Sequence, residues 1–193
     1  MTACSLTLLV VLLAGCSENR VRPSETLPTT SEVAVTSESP TPAAVSGPNG
    51  VVPFPTPSAE SEELSGEGAF AFNEYWIITL DYLYATLDVQ PFREASSPEC
   101  RFCDSVLEQD GRAEAGYVYV GGRITIMESA LESFDGTFAV VGTVVSVTEL
   151  IATDPEGNPD PASEAKHPRY QFFNRLAWDG ESWAVVASVG TDL

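Results

Sequence analysis

The clearest periodicity in the chain runs from Glu67 to Leu87. Residues set roughly 100° apart put Phe72, Trp76, Ile77, Leu80, Leu83, Tyr84 and Leu87 on one broad face and Tyr75, Ile78 and Tyr82 on another. Glu74, Asp81 and Asp88, spaced seven apart, leave only a narrow charged strip. A helix apolar on most of its circumference must be covered on most sides, as when it lies in the fold of a curved sheet. A second helix is expected from Ser97-Pro98-Glu99-Cys100, with Ser as N-cap and Pro at the first helical position, running to about Gln109.

After Gly111 and Gly116 the pattern changes to period two. Ile124 and Ile126 begin an alternation, Asp135-Gly136 marks a hairpin turn, and Thr137 to Thr153 is a long β-branched run with Gly142 as a bulge or bend. From Val140 to Val145 both faces of that run are apolar, as in a central strand. Tyr170, Phe172, Leu176 and Trp178 then alternate on even positions, and Trp183, Val185, Ala187 and Val189 on odd ones. An even-numbered loop at Asp179-Gly180-Glu181-Ser182 puts both sets on one face; an odd loop would throw one set into water. Helices first and four antiparallel strands after them make an α+β fold with one face of the sheet covered.

Composition adds limits. Of 193 residues, 9 are Lys or Arg and 28 are Asp or Glu, so the net charge is 9 − 28 = −19. Nucleic-acid binding rests on clustered basic side chains that release counterions, and one Lys and eight scattered Arg do not supply them. At 44% apolar residues the chain can nonetheless bury one substantial core.

The N-terminus differs from the rest. Leu6 to Ala14 is apolar, too short for the roughly 20 residues that span a bilayer but right for a signal-peptide core. Leu13-Ala14-Gly15-Cys16 resembles the lipobox of bacterial lipoproteins, in which the Cys thiol receives diacylglycerol; by that resemblance Cys16 is the anchor and residues 1–15 are a removed signal. No Lys or Arg precedes Leu6, so either the true start lies upstream or export is atypical. Residues 17–65 hold eight Pro, fifteen Ser or Thr and seven Glu in 49 positions. Such a stretch cannot bury enough apolar surface to offset its ordering entropy, and residues 16–65 are expected to be a disordered tether with a reach of roughly 35–42 Å. This leaves residues 66–193 as the domain, on the extracytoplasmic side of the cell membrane. The tether carries −5 and the domain −14 of the charge.

The order of elements, ending in Trp178-Asp179-Gly180-Glu181-Ser182-Trp183, resembles the nuclear-transport-factor-2-like (cystatin-like) superfamily. More narrowly, Cys16, the Ser/Thr/Pro tether, Cys100-Arg101-Phe102-Cys103 and Tyr119-Val120-Gly121-Gly122-Arg123 resemble an actinobacterial lipoprotein family, domain of unknown function 6318. The resemblance implies a cystatin-like cone and an envelope location, and no established activity. It also places a ligand pocket between the sheet and the first helix. Asn174, a polar residue where the inward series wants an apolar one, would line it with Tyr82 and Tyr84; the alternative is a core Asn bonded to neighbouring backbone.

Other chemistry is sparse. Cys4 leaves with the signal and Cys16 is lipidated, so Cys100 and Cys103 of an exported chain are expected to pair as a disulfide; a redox dithiol and reduced thiols are the alternatives. The lone His167 sits beside Pro168, which excludes a His-based zinc cluster and leaves a Ser-His-Asp triad dependent on one loop residue. Asp154, Glu156, Asn158 and Asp160 alternate faintly like a calcium loop but lack the bidentate Glu. We therefore expect no cofactor, no metal and no catalytic residue. The leading expectation is a non-catalytic module, lipid-anchored to the cell membrane, that binds an envelope protein or a small ligand. The alternative is an isomerase- or hydratase-like enzyme using the pocket.

Overall fold

The computed structural model describes residues 44–108, 111–160 and 169–193. Helix α1, Gly66–Thr86, is the centre of the fold. Ser65 caps it by accepting from Gly68 N–H at 2.9 Å, and it ends at Leu87, which takes the left-handed conformation (φ 61°). Leu87 keeps that strained geometry because its side chain is buried with Tyr119 and Ala152. Helices α2, Gln90–Glu94, and α3, Arg101–Leu107, follow. The first of these is an element that the apolar spacing did not announce. The second starts later than expected: Cys100, not Ser97, is its N-cap, and Ser97 instead closes the turn before it, its Oγ accepting from Glu99 N–H at 3.2 Å and its carbonyl from Cys100 N–H at 3.0 Å.

Among the described residues eight strands pair into three antiparallel sheets: β1 (Val45–Gly47) with β2 (Gly50–Val52), β3 (Val118–Gly121) with β6 (Leu150–Thr153), and β4-β5-β7-β8 in that order. The last comprises Ile124–Phe134, Phe138–Val147, Arg169–Trp178 and Trp183–Asp192. This is an α+β fold with the four antiparallel strands expected. The long run after Thr137 is two strands rather than one. It breaks at Thr148-Glu149, where Glu149 O accepts from Gly122 N–H and lies so close to Gly121 (φ +81°) that any Cβ there would collide with it.

Three further expectations are corrected. Gly142 is not a bulge: β5 is regular and the extra residues lie in β4, at Met127 and Glu132. Its missing side chain leaves room for the Phe173 ring and for Glu132, which a Cβ would meet at 3.2 and 2.9 Å. The final hairpin pairs Trp178 with Trp183 and Leu176 with Val185 as the even loop requires, but a bulge at Val186 then reverses the parity. Ser188 pairs with Asn174 on the inner side, while Ala187 and Val189 turn outward, Val189 being 61% exposed.

Finally, residues 44–65 are not tether. Asn49, at the tip of the β1–β2 hairpin, donates to Ala85 O (2.9 Å) and Tyr119 O (3.0 Å) and accepts from Gly121 N–H (2.9 Å). Val52 is buried with Tyr82 and Ala85, and Trp183 Nε1–H donates to Glu63 O at 2.9 Å. A Pro-rich stretch folds here because the body of the domain supplies the apolar partners that its own composition lacks. The tether expectation is left with residues 16–43, outside the described residues, as are the signal segment, Cys16 and His167.

Candidate functional site

The inner side of the sheet and α1 share one apolar core. Trp76, Leu80, Leu83, Val141, Val145, Leu176, Trp183 and Val185 are all buried in it. One polar chain crosses this core. Asn73 of α1 donates from Nδ2 to Thr143 Oγ1 (2.8 Å), and Asn174 Nδ2 donates to Asn73 Oδ1 (2.8 Å). Ser129 of β4 reaches Thr143 at 3.3 Å, and Ser188 of β8 lies opposite Asn174. Asn73, Thr143 and Asn174 are each at most 1% exposed, and Asn174 Oδ1 and Ser188 Oγ are buried without a protein partner. Asn73 was hidden from sequence reasoning within an apolar helix face; the signal that finds it is that Asn174 needs a buried partner.

The candidate pocket residues do not converge. Asn174 meets Asn73 rather than a tyrosine, so the space beside it is taken by a side chain of α1. Tyr82 points the opposite way, toward the N-terminal segment, with the Phe54 ring at 5.6 Å. Tyr84 packs at the edge of the main core beside Tyr119 and Tyr170, and burial, then these two hydroxyls, raises its pKa above the ordinary tyrosine value. A pocket lined jointly by Tyr82, Tyr84 and Asn174, which the isomerase-like alternative required, is therefore not formed by these residues.

Cys100 and Cys103 form a disulfide with Cα atoms 5.1 Å apart, and both are fully buried in the main core. Burial removes the access that thiol exchange requires, so the pair fits a structural bond rather than a redox centre. Asp81, expected on the wet strip, instead receives Arg123 through two contacts of 2.9 and 2.7 Å and accepts Ile124 N–H at 2.7 Å. These bonds hold the Arg123 pKa above its ordinary value against the opposing effect of burial. Asp81 thereby ties the middle of α1 to the start of β4. In the loop after β6, Asp154 spends its carboxylate on Asn158 N–H (2.7 Å) and the Asn158 amide. Among the described residues no group of three or more His, Cys, Asp or Glu is placed to hold a metal ion. Nor, among them, is any helix long and apolar enough to cross a membrane.

The outer face of the sheet differs from its inner face. On β5 the outward residues include Phe138, Val140 and Val144; on β7 Phe173 and Arg175 point outward; on β8 Val189 does. Phe138 and Phe173 are 39% and 40% exposed, and the Arg175 guanidinium lies 4.5 Å from the Phe138 ring centroid.

A family model matches residues 40–188, a span that holds all of the helices and strands from β1 to the inner part of β8. The chain belongs to the family of unknown function DUF6318. The matched span of the family includes the β1–β2 hairpin that precedes α1. Curated proteins contain no match to the sequence. Solved structures similar to this chain include the intermembrane space region of chloroplast protein ARC6, 15% identical, covering 68% of this chain and 99% of that one at a TM-score of 0.46. They also include an uncharacterized protein with a cystatin-like fold from Caulobacter vibrioides, at 10% identity, 63% and 87% coverage and 0.42. An NTF2-like protein of unknown function in nutrient uptake from Rhodospirillum rubrum gives 12%, 62% and 97%, and 0.43.

Proposed function

We propose that this chain is a lipid-anchored extracytoplasmic lipoprotein whose cystatin-like cone acts as a non-catalytic protein-binding module of the cell envelope. One observation carries the binding part: the outer face of the four-stranded sheet exposes Phe138, Phe173 and Val189 in a chain of net charge −19. An antiparallel sheet with one side in water ordinarily alternates apolar-in and polar-out, whereas β5 is apolar on both sides. Contiguous exposed apolar surface of this kind marks an interaction site. The inner face, closed by the Asn73–Asn174 bond, supports a structural role for the residues that a pocket would have used.

The anchoring part rests on Leu13-Ala14-Gly15-Cys16 and the Pro-rich segment after it. Acyl chains on Cys16 hold the acidic domain at an anionic surface that would otherwise repel it, and the surplus charge keeps the domain solvated and off that surface. Two measurements test the proposal. Mass spectrometry of the mature N-terminal peptide should show diacylglycerol on Cys16, with Cys16→Ser released from the membrane; an unmodified Cys16 defeats the anchor. A photoreactive side chain placed at Phe173 in the full chain in cells should give crosslinked species, while one at Ile78, exposed on α1, should not. Equal labelling at both positions defeats the binding face.

A further inference from the structure

We infer that Asn49-Gly50 is a site of spontaneous deamidation, and that the reaction removes the latch holding the first hairpin of the domain to its body. This goes beyond the reading of the outer face as a binding surface and does not depend on it.

Two independent observations meet at this dipeptide. The first is reactivity. Asparagine is a chemically labile side chain, and its loss of ammonia is limited by how readily the next residue's backbone nitrogen reaches Cγ. Of the five Asn in the chain, only Asn49 is followed by Gly. Asn158 is followed by Pro159, which has no N–H with which to attack. Gly50 has no side chain to hinder the approach, is exposed at φ +82°, and has nothing within 4 Å of where its Cβ would stand.

The second is position. β1 and β2 pair at only three positions, and so short a hairpin does not hold itself together. Residues 45–51 are exposed apart from Asn49, so buried Val52 and the Asn49 carboxamide are what join the hairpin to the domain. Nδ2 donates to Ala85 O and Tyr119 O, and Oδ1 accepts from Gly121 N–H. While these bonds hold, the carboxamide is not free to turn toward Gly50 N, so conversion runs through opening of the hairpin.

In the open hairpin Gly50 N attacks Asn49 Cγ. The Cγ–Nδ2 bond breaks, Nδ2 leaves as ammonia with the proton that Gly50 N loses, and a succinimide ring closes. Water, the only co-reactant, then opens the ring and returns a proton to Gly50 N. Addition at Cγ gives Asp, and addition at the main-chain carbonyl carbon gives isoaspartate. Either product puts a carboxylate where two N–H groups had met Ala85 O and Tyr119 O, so acceptors face acceptors. A negative charge then also stands at the C-terminal end of α1, where the helix dipole opposes it. Isoaspartate further lengthens the main chain of a two-residue turn. The latch is thus the group that the reaction consumes, and the release runs one way.

The test is a time course of the full chain in mildly alkaline buffer, followed by mass spectrometry beside a synthetic peptide of residues 44–54. The mass gain of an amide-to-acid exchange should appear at Asn49 before the other four Asn, with isoaspartate beside Asp. It should run at least about tenfold more slowly than in the peptide, because the closed hairpin protects the carboxamide. Hydrogen exchange in residues 45–52 should be at least about tenfold faster in the converted chain and in Asn49→Asp than in wild type, with the four-stranded sheet unchanged. Full conversion of the peptide with none at Asn49 of the chain overturns the inference. So does conversion of the chain at the peptide's rate, which denies the hydrogen bonds their hold, and so does conversion that leaves exchange in residues 45–52 unchanged.

Discussion

The two sides of the four-stranded sheet are built from interleaved residues of the same strands, yet they follow different rules. On the inner side Val141, Val145, Leu176, Trp183 and Val185 are covered, with Leu131 and Phe134 of the edge strand β4 each 39% exposed, and a cross-strand chain of polar groups runs through Asn73, Thr143 and Asn174. On the outer side β5 is apolar again, with Phe138, Val140 and Val144, while β7 mixes Phe173 with Arg169, Gln171 and Arg175, and Phe138, Phe173 and Val189 stay exposed. Asn174 and Phe173 are neighbours in sequence and opposites in role: one is sealed in, the other is 40% exposed. The contrast teaches that, in this chain, polarity is not a guide to function. The buried asparagine bonds within the core, and the exposed phenylalanine lies on the face proposed to meet another molecule.

The inner side should be the fragile one. Trp76→Ala is expected to cost about 3–5 kcal/mol in denaturant unfolding, because Trp76 is fully buried, contacts the Phe92, Phe102 and Phe172 rings, and donates to Ser96 Oγ. Asn73→Ala should cost about 2–4 kcal/mol, since it orphans the buried Asn174 Nδ2 and leaves Thr143 Oγ1 with only the 3.3 Å contact from Ser129. The double variant Asn73→Leu/Asn174→Leu should cost less than the sum of its single variants, a non-additivity that a double-mutant cycle measures. Asn49→Ala, which removes three hydrogen bonds holding the β1–β2 hairpin, should cost about 1–3 kcal/mol and raise hydrogen exchange in residues 45–52.

The pH dependence separates the interior from the turns. Tyr75, Tyr82, Tyr84, Tyr119 and Tyr170 all have pKa values raised, chiefly by burial. A raised folded-state value means stability that is complete below about pH 10 and is lost as pH climbs through the folded values, so an alkaline melt should begin near there. Asp135 and Asp179, at the two hairpin turns, have values lowered by backbone N–H donors. Their contribution is present above about pH 4 and fades as pH falls through the lowered values, a smaller effect that fluorescence of the Trp178–Trp183 pair should report. The smallest change is expected on the outer side: Val189→Asp in dilute solution should stay within about ±0.5 kcal/mol of wild type.

How much of this the amino-acid order revealed follows from how local each cause is. Helix α1 was legible almost to the residue because the 3.6-residue spacing from Glu67 to Leu87 lies within one short stretch of chain. The strand parity up to Leu176 and Val185 was legible for the same reason. The Val186 bulge was not, because nothing within β8 marks it; it reads only against the polar Asn174 across the ladder, which Ser188 then faces. The 44–65 segment was missed because its order comes from partners far along the chain, Ala85, Tyr119 and Trp183, while its own composition argues for disorder. Asp81 was placed on a solvated strip by spacing alone, and its arginine partner is 42 residues away. The candidate pocket failed on direction: Tyr82 and Tyr84 are two residues apart on a helix, so they cannot share a face with each other, and only Asn174 lies on the inner side of the sheet.

Recognition of another molecule by the outer face of the four-stranded sheet, as proposed, is tested most directly by photocrosslinking from position 173 of the full chain in cells. Crosslinked species from Phe173 and none from Ile78, which is 51% exposed on α1, are predicted. Equal labelling at the two positions would contradict the proposal.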